Sequence, residues 1–170
     1  MRGSLLTFVV LSALPAQAQF ANRSLGVSAT ASTTISNSQL YGLTLEGSHY
    51  IENGFDVYLR VPLVVASTQL GADTVSGKGW VLGTGTNLGV RYLLSEQQVR
   101  PYLGVHLSAL VLITKPEIQY FFGPGATAGL DWFFADAFSI GARTSYDLFI
   151  DLNKPLRHHF SGGVVLATGF

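Results

Sequence analysis

The chain contains no cysteine among its 170 residues. This absence excludes a disulfide framework, a CxxC metal or redox site, and catalysis by a thiol. Charged residues are scarce as well, at 12% of the sequence, and basic and acidic residues balance to a formal charge of zero at pH 7. Such a balance gives no pattern that favours nucleic-acid binding.

A long hydrophobic run is also missing. Beyond residue 18 there is no stretch of about 18 uncharged apolar residues, the length that a membrane-spanning helix needs. Hydrophobic residues nevertheless make up 48% of the chain, and its mean hydropathy is +0.35. An apolar chain without a spanning helix indicates β-structure with a large core or a membrane barrel, and the length allows one domain.

Residues 1–18 have the features of a secretory signal peptide. Arg2 supplies the positive start, Leu5–Leu14 the apolar centre, and Ala16-Gln17-Ala18 a cleavage site of the A-x-A type. An anchor helix is the weaker interpretation, because the apolar centre is too short to span a membrane. The mature chain is predicted to start at Gln19, with a net charge near −1 once Arg2 is lost from the ten basic residues.

Residues 19–170 are predicted to form one all-β domain, an eight-stranded antiparallel up-and-down transmembrane β-barrel. In each strand, apolar residues alternate with small or polar ones, the period of extended chain. Turn signals separate the strands, the strongest being Asn53-Gly54 and the last covering Asp151–Leu156. Pro124, within the sixth strand, predicts a bulge or a local weakness there. The predicted strands cover residues 24–35, 39–51, 55–65, 80–93, 99–114, 119–134, 138–150 and 160–170.

Charged residues of the strands lie opposite the apolar rows. In the third strand the row from Val57 to Val65 is apolar, whereas Asp56 and Arg60 face the other way. A soluble barrel would force all the apolar rows into one narrow lumen and turn the small residues toward water. The inverse polarity is therefore predicted, with a paired charge network that plugs the lumen. Its predicted members are Glu46, Asp56, Arg60, Arg91, Arg100, Asp131, Arg143 and Asp147.

Aromatic residues of the apolar rows fall into two bands, which is typical of side chains at the two membrane interfaces. The band predicted for the periplasmic side contains Phe55, Tyr92, Trp132, Phe134, Phe138 and Phe170. The band predicted for the outer side contains Tyr41, Trp80, Tyr120, Phe122, Tyr146 and Phe160.

This whole pattern resembles the small eight-stranded outer-membrane barrels of Gram-negative bacteria, a family that includes the OmpA transmembrane domain and OmpX. The resemblance implies an outer-membrane location, contact with lipid and lipopolysaccharide, and recognition of the last strand, through Phe170, by the barrel-assembly machinery. Basic residues predicted for the external turns are candidate lipopolysaccharide contacts. They are Lys78, Lys115, Lys154 and Arg157. No cofactor and no nucleic acid is expected.

Two H-x-S pairs are the candidates for catalysis. His106 precedes Ser108 by two residues, as His159 precedes Ser161, so each pair shares one face of a strand. Outer-membrane lipid A deacylases resemble this chain in size and use a His/Ser pair with an acid, but their pair faces lipid. Both pairs here have the inward parity, so we expect lumenal polar residues. No metal site is expected, because adjacent His158 and His159 point to opposite faces.

The sequence therefore predicts a plugged outer-membrane barrel with a structural or interaction role in the cell envelope, as a module that works beside an envelope protein partner. A lipid-modifying enzyme is the alternative. A porin-like, narrow-solute channel is the weaker third reading, because charged side chains are expected to fill the lumen.

Overall fold

The computed structural model of the chain describes residues 23–34, 39–67, 80–113, 118–151 and 154–170. These residues form a closed barrel in which consecutive strands pair antiparallel and the first strand pairs with the last. The strands are β1 (Arg23–Thr34), β2 (Gln39–Glu52), β3 (Phe55–Ser67), β4 (Trp80–Leu93), β5 (Val99–Ile113), β6 (Ile118–Ala135), β7 (Phe138–Asp151) and β8 (Lys154–Gly169). The predicted fold is confirmed. Within these ranges, no helix is long and apolar enough to cross a membrane.

The two ends of the barrel differ in their connections. The turns at residues 53–54, 94–98 and 136–137 lie at one end, called here the tight-turn end, together with residues 23 and 170. The other end, called the loop end, receives the connections at 35–38, 68–79, 114–117 and 152–153, which lie outside the described residues. The predicted signal peptide, residues 1–18, lies outside them too.

The hairpin between β2 and β3 forms where the sequence predicts it. Asn53 and Gly54 have φ angles of 52° and 83°, and a two-residue turn of this kind needs positive φ at both positions. The Gly54 carbonyl also accepts a hydrogen bond of 2.7 Å from the backbone N–H of Leu93. This turn therefore fixes the register of β2 on β3 and connects the hairpin to β4.

The barrel has the inverse of the polarity of a soluble protein. Leu107, on the outer face of β5, is 68% exposed, whereas the lumenal side chain of Arg60 is 2% exposed. Large hydrophobic residues account for 33 exposed positions along the described strands and turns. Buried positions hold serine, threonine, histidine and most of the charged residues of the strands. The alternation of each strand produces this division directly.

The start of the last strand differs from the prediction. A turn was expected over Asp151–Leu156, but β8 already begins at Lys154, and Lys154 pairs with Asp151 at the end of β7. The sequence prediction was wrong because it treated Lys154 and Pro155 as turn residues. Proline is tolerated near the first residues of a strand, where one missing N–H removes little of the ladder.

Pro124 weakens the ladder locally without a bulge. Pairing between β6 and β7 is missing at residues 123–124 and resumes with Gly125 opposite Asp147 in the same register. The cause is the absent N–H of proline, which removes a ladder hydrogen bond. On its other side, Pro124 still lies opposite Leu107 of β5. The predicted local weakness is therefore confirmed.

Candidate functional site

Glu46 of β2 is the centre of the charged lumen and contacts three arginines. Its carboxylate accepts hydrogen bonds from Arg60 Nε at 2.6 Å and from Arg91 Nη1 at 3.0 Å. Arg143 of β7 donates from Nη1 to the oxygen that Arg60 also contacts, and from Nη2 to Ser28 of β1. One buried carboxylate therefore joins side chains of β3, β4 and β7.

Strand register explains how this group forms. Arg60 is the direct partner of Glu46 across β2 and β3, so their side chains leave the wall side by side. Arg143 reaches the same point from the far side of the lumen, and the missing side chain of Gly129, its partner on β6, makes room for the Tyr102 hydroxyl. Each of these charged side chains is almost fully buried. Their contacts with one another offset the free-energy cost of removing the charges from water.

Arg91 extends the network toward the tight-turn end. Its Nε and Nη2 lie 2.9 and 2.7 Å from Oδ2 of Asp56, its register partner. Nη2 also donates to Ser48 Oγ at 3.2 Å, and Nη1 lies 4.0 Å from the Asp131 carboxylate. The guanidinium packs over the ring of Tyr102, with 4.8 Å to its centroid. Arg91 is thus the link between Glu46 and the two aspartates.

Arg100 lies at the tight-turn mouth, with contacts of a different kind. Its Nε donates to the backbone carbonyl of Gln97 at 3.0 Å, and its guanidinium lies 4.0 Å from the centroid of the Phe133 ring. Asp131 is its register partner on β6. Arg100 therefore closes the mouth of the barrel, whereas the Glu46 group occupies its middle.

Asp147 belongs to a separate cluster nearer the loop end. Its Oδ1 accepts from Ser108 Oγ at 2.5 Å and lies 2.7 Å from His106 Nε2, and its Oδ2 lies 3.1 Å from His159 Nδ1. Tyr58 Oη lies 2.9 Å from Nδ1 of His106. Asp147 was predicted within a network of arginines and acids, but in the structure its hydrogen-bond partners are histidine, serine and, through His106, tyrosine.

Register explains this cluster as well. His106, Gly125, Asp147 and His159 lie directly opposite one another on β5, β6, β7 and β8. A Cβ at Gly125 would collide with His106 Nε2 and with Asp147 Oδ1, two atoms that contact each other beside Gly125. The missing side chain on β6 therefore permits the contact between β5 and β7.

The Asp147 cluster does not have the order of a hydrolase triad. In a triad, histidine lies between the nucleophilic serine and the acid. Here the carboxylate lies between Ser108 and His106, and the His106 side chain is 0% exposed. On the outer wall, His158 Nδ1 lies 2.5 Å from the hydroxyl of Tyr146. These contacts orient buried groups and hold protons between them, but they do not activate an accessible nucleophile.

Metal binding has no support in the described strands, where no group of three or more histidine and acidic side chains is arranged to hold a metal ion. The two histidines of the Asp147 cluster instead direct ring nitrogens at the carboxylate, within hydrogen-bonding distance. That cluster is therefore complete as a hydrogen-bonded unit.

The loop end of the lumen is apolar, which the predicted charge network did not include. Six buried side chains from five strands pack there, and the rings of Phe121 and Phe149 have centroids 5.8 Å apart. A signal was present, since residues 109–113 are apolar at every position and not only at alternate ones. This inner apolar cluster consists of Leu40, Val64, Leu110, Leu112, Phe121 and Phe149.

The Glu46 group separates two cavities along the barrel axis. The cavity toward the tight-turn end is lined by Glu46, Asp56 and Arg91, among others. The cavity toward the loop end is lined by Arg60, Arg143 and Asp147 together with part of the inner apolar cluster. The two cavities have no lining residue in common. The contacts of Glu46 with Arg60 and Arg143 therefore lie between them.

The predicted aromatic residues lie on the outer wall wherever the structure describes their side chains. Tyr146 is half-buried against Phe160, with ring centroids 4.8 Å apart, and the side chain of Trp80 lies outside the described residues. The other ten are exposed: Tyr41, Phe55, Tyr92, Tyr120, Phe122, Trp132, Phe134, Phe138, Phe160 and Phe170.

The basic residues predicted to contact lipopolysaccharide are described only in part. Lys78 and Lys115 lie outside the described residues, and so does the side chain of Lys154. Arg157 lies within β8 and not in a turn, on the lumenal face that it shares with His159. Its guanidinium is 5.4 Å from the centroid of the Phe121 ring, so it packs on the inner apolar cluster.

No protein-family model matches the sequence, and no curated protein matches it. Solved structures do match. The N-terminal β-barrel domain of OprF from Pseudomonas aeruginosa has a TM-score of 0.59 at 19% identity, covering 89% of this chain and all (100%) of that domain. Neisserial surface protein A has a TM-score of 0.59 at 11% identity, with 87% of this chain and 96% of that one covered.

A third similar structure is the outer membrane protein OprG from Pseudomonas aeruginosa. Its TM-score is 0.54 at 12% identity, over 86% of this chain and 92% of that one. At these identities the similarity concerns the fold and not the activity. The chain has the fold of the small eight-stranded outer-membrane barrels.

Proposed function

We propose that this chain is an integral outer-membrane protein of a Gram-negative bacterium. The observation that carries the proposal is the apolar outer wall, with 33 large hydrophobic residues exposed. For each such side chain, leaving half of its surface in water loses about 1 kcal/mol of the favourable free energy that full burial would provide. A contiguous exposed apolar surface of this extent marks a region that a membrane or a protein partner covers. A lipid bilayer removes this penalty.

Within that membrane, we propose a structural or interaction role for a barrel with a plugged lumen. The support is the Glu46 group, whose contacts with Arg60 and Arg143 lie between the two cavities. The inner apolar cluster fills the lumen again at the loop end. An eight-stranded barrel is just wide enough for side chains to fill it. The barrel therefore serves as an anchored scaffold that meets a partner in the envelope.

The lipid-modifying enzyme has less support. Ser108 is 4% exposed and donates to Asp147, and outward-facing His158 is hydrogen-bonded to Tyr146. A lipid A deacylase needs serine and histidine in contact at the lipid-facing surface. The described strands offer no such pair, so we do not assign this activity.

Two molecular partners belong to the proposal. The barrel-assembly machinery would recognise the last strand through Phe170, a residue that is 71% exposed. Lipopolysaccharide phosphates would meet Lys78, Lys115 and Lys154 at the loop end, since ammonium groups attract phosphate. Arg157 is left out of this set, because its guanidinium packs on Phe121 inside the barrel mouth.

Fractionation and gel mobility test the membrane location. The protein is expected in the outer-membrane fraction, and its unheated form is expected to migrate differently from the heated form, as closed membrane barrels do. Recovery in the soluble periplasm, with one mobility before and after heating, would contradict the proposal.

Single-cysteine variants test which side chains of the wall face lipid. The chain has no cysteine of its own, so a thiol-reactive dye labels only the introduced residue. Leu107→Cys, on the outer face, is expected to give a dye label that nitroxide-bearing lipids quench in reconstituted vesicles. Glu96→Cys, on the exposed turn between β4 and β5, is the matched control and should be quenched by a water-soluble reagent. The opposite result at Leu107 would contradict a lipid-facing wall.

A further inference from the structure

The cavity toward the loop end, called here the loop-end cavity, is lined by more basic than acidic side chains. Arg60 of β3 and Arg143 of β7 line it from opposite sides of the lumen, and Asp147 is the acidic member of the lining among the described residues. The Asp147 carboxylate is already held by Ser108 and by two histidines. Glu46, which both arginines contact, lines the other cavity instead. The loop-end cavity therefore favours an anion.

Arg60 has a donor group to spare. Its Nε donates to Glu46 at 2.6 Å, and its Nη1 donates to Thr127 at 3.4 Å. Its Nη2 is buried and has no hydrogen-bond partner within the described part of the chain. A buried donor without an acceptor is unfavourable, and guanidinium donors prefer a carboxylate or a phosphate. The unpaired Nη2 therefore indicates an acceptor that comes from outside the protein.

Neutral donors accompany the guanidinium of Arg60. Asn87 is its register partner on β4, and the Asn87 side chain lines the same cavity. Thr44 of β2, which is buried, lines it as well. An amide and a hydroxyl can each donate a hydrogen bond to a carboxylate oxygen. The end of the cavity nearest the Glu46 group is therefore suited to one carboxylate.

The opposite end of the loop-end cavity is apolar. Leu40, Leu110 and Phe149 of the inner apolar cluster line it, and they also line a smaller cavity next to it. His159 is common to both cavities, and Arg157 lines the smaller one. The pair of cavities thus changes from polar to apolar toward the loop end, which matches a ligand with one charged end and one hydrocarbon end.

The volume of these cavities limits the size of the ligand. The loop-end cavity has a volume of about 60 Å³, and the smaller one has about 10 Å³. A water-sized group needs roughly 10–15 Å³, so about five such groups fit. Propionate and butyrate are of that size, whereas a long fatty acid is not. A second negative charge on the ligand would be repelled by Asp147, which favours a monoanion.

We propose that the loop-end cavity binds a short-chain monocarboxylate. The ligand carboxylate accepts hydrogen bonds from Arg60 Nη2 and from the Asn87 amide, and its hydrocarbon end packs on the three apolar side chains toward the loop end. Arg157, near the entrance, attracts the anion. The Glu46 group closes the inner end, so this site is a pocket and not a passage, as a plugged barrel requires.

Calorimetric titration of the folded barrel with sodium butyrate tests this site. We expect saturable binding to one site. Butyramide has the same shape without the charge and should bind about tenfold more weakly or worse, since a hydrogen bond to a charged group contributes about that factor. Arg60→Lys keeps a positive charge but removes Nη2, so it should weaken butyrate binding by about the same factor.

A matched pair of serine variants keeps the test decisive if Arg60→Lys does not fold. Ser161→Leu fills the loop-end cavity and should abolish butyrate binding, whereas Ser24→Leu places the same side chain at a half-buried serine of the other cavity and should bind like the parent. Heat-dependent mobility on gels identifies the folded variants. Equal butyrate binding by these two variants, once both are folded, would overturn the site.

Three results for the folded parent would overturn it too. An absence of saturable butyrate binding would mean that the cavity holds only water. Binding of butyramide as tight as that of butyrate would show that the guanidinium is not used. Glycine and chloride are titrated in the same way, and binding of either one tighter than that of butyrate would indicate a zwitterion or an inorganic anion as the ligand instead.

Discussion

Gly125 lies directly opposite His106, and a side chain at Gly125 would occupy the space through which His106 reaches Asp147. A position with no side chain thus determines which of the polar residues on β5 and β7 can meet. The contact spans three strands, although each residue is in register only with its immediate neighbour.

Gly125→Ala should therefore destabilise the barrel by about 1–3 kcal/mol, the usual range for inserting a methyl into a packed site. The added Cβ would push His106 away from Asp147. Urea unfolding in lipid vesicles, followed by tryptophan fluorescence, measures the change. Gly162→Ala is the control, since a Cβ there meets only the carbonyl of Arg143, at 3.8 Å. Equal stability of the two variants would contradict the role of Gly125.

Glu46→Gln should lower the free energy of unfolding more than Arg143→Ala. Loss of the carboxylate leaves the guanidiniums of Arg60 and Arg143 buried beside each other without their shared anion, a change worth about 3–5 kcal/mol. Arg143→Ala leaves Glu46 with two arginines, so its effect should be smaller. Asp136→Asn, on an exposed turn, should change stability little. Thermal unfolding in detergent measures the order, and a reversed order would refute the central position of Glu46.

The parent barrel should show negligible ion conductance in planar bilayers. Ions would have to pass both the Glu46 group and the inner apolar cluster, and each fills the lumen with side chains. Single-channel recording at low protein concentration makes the measurement, with a heat-denatured sample as the control. Steady conductance by the folded parent would mean that the charges line an open path, and the plugged lumen would then be rejected.

Removal of Phe170 should impair assembly in cells far more than His159→Ala. Phe170 lies directly after β8, on the outer wall at the tight-turn end, whereas His159 of β8 is buried in the lumen. The amount of folded, heat-modifiable protein in the outer membrane measures assembly. His159→Ala is the control for general damage to β8, because it removes a contact with Asp147 but leaves the outer wall intact. Equal assembly of both variants would contradict recognition through Phe170.

Alternation in the sequence was sufficient to predict the barrel and the direction of most side chains. It predicted that Asp56 and Arg60 share a face, because parity depends only on the local chain. It did not predict that Asp147 contacts His106, since that contact depends on register across three strands and on the missing side chain of Gly125. Parity says which face a residue is on, but not which residues of that face meet.

The inner apolar cluster was missed for a related reason. Leu110 and Phe149 are flanked by apolar residues of the opposite parity, so the alternation that marks inside from outside is lost there. The start of β8 was missed because Lys154 and Pro155 are residues that turns favour. Lys154 becomes part of β8 because β7 offers it a pairing partner. A pattern of neighbouring residues in the sequence does not contain that information.

Closure of the barrel joins the first strand to the last, with Ser24 opposite Gly169. This seam cannot form until the whole of β8 is available, so every shorter chain has two unpaired strand edges. Such edges expose rows of N–H and C=O groups that promote aggregation. Closing so long a loop also carries a large entropic penalty, which slows folding. A frameshift within β8 should therefore lead to degradation and not to a smaller working barrel.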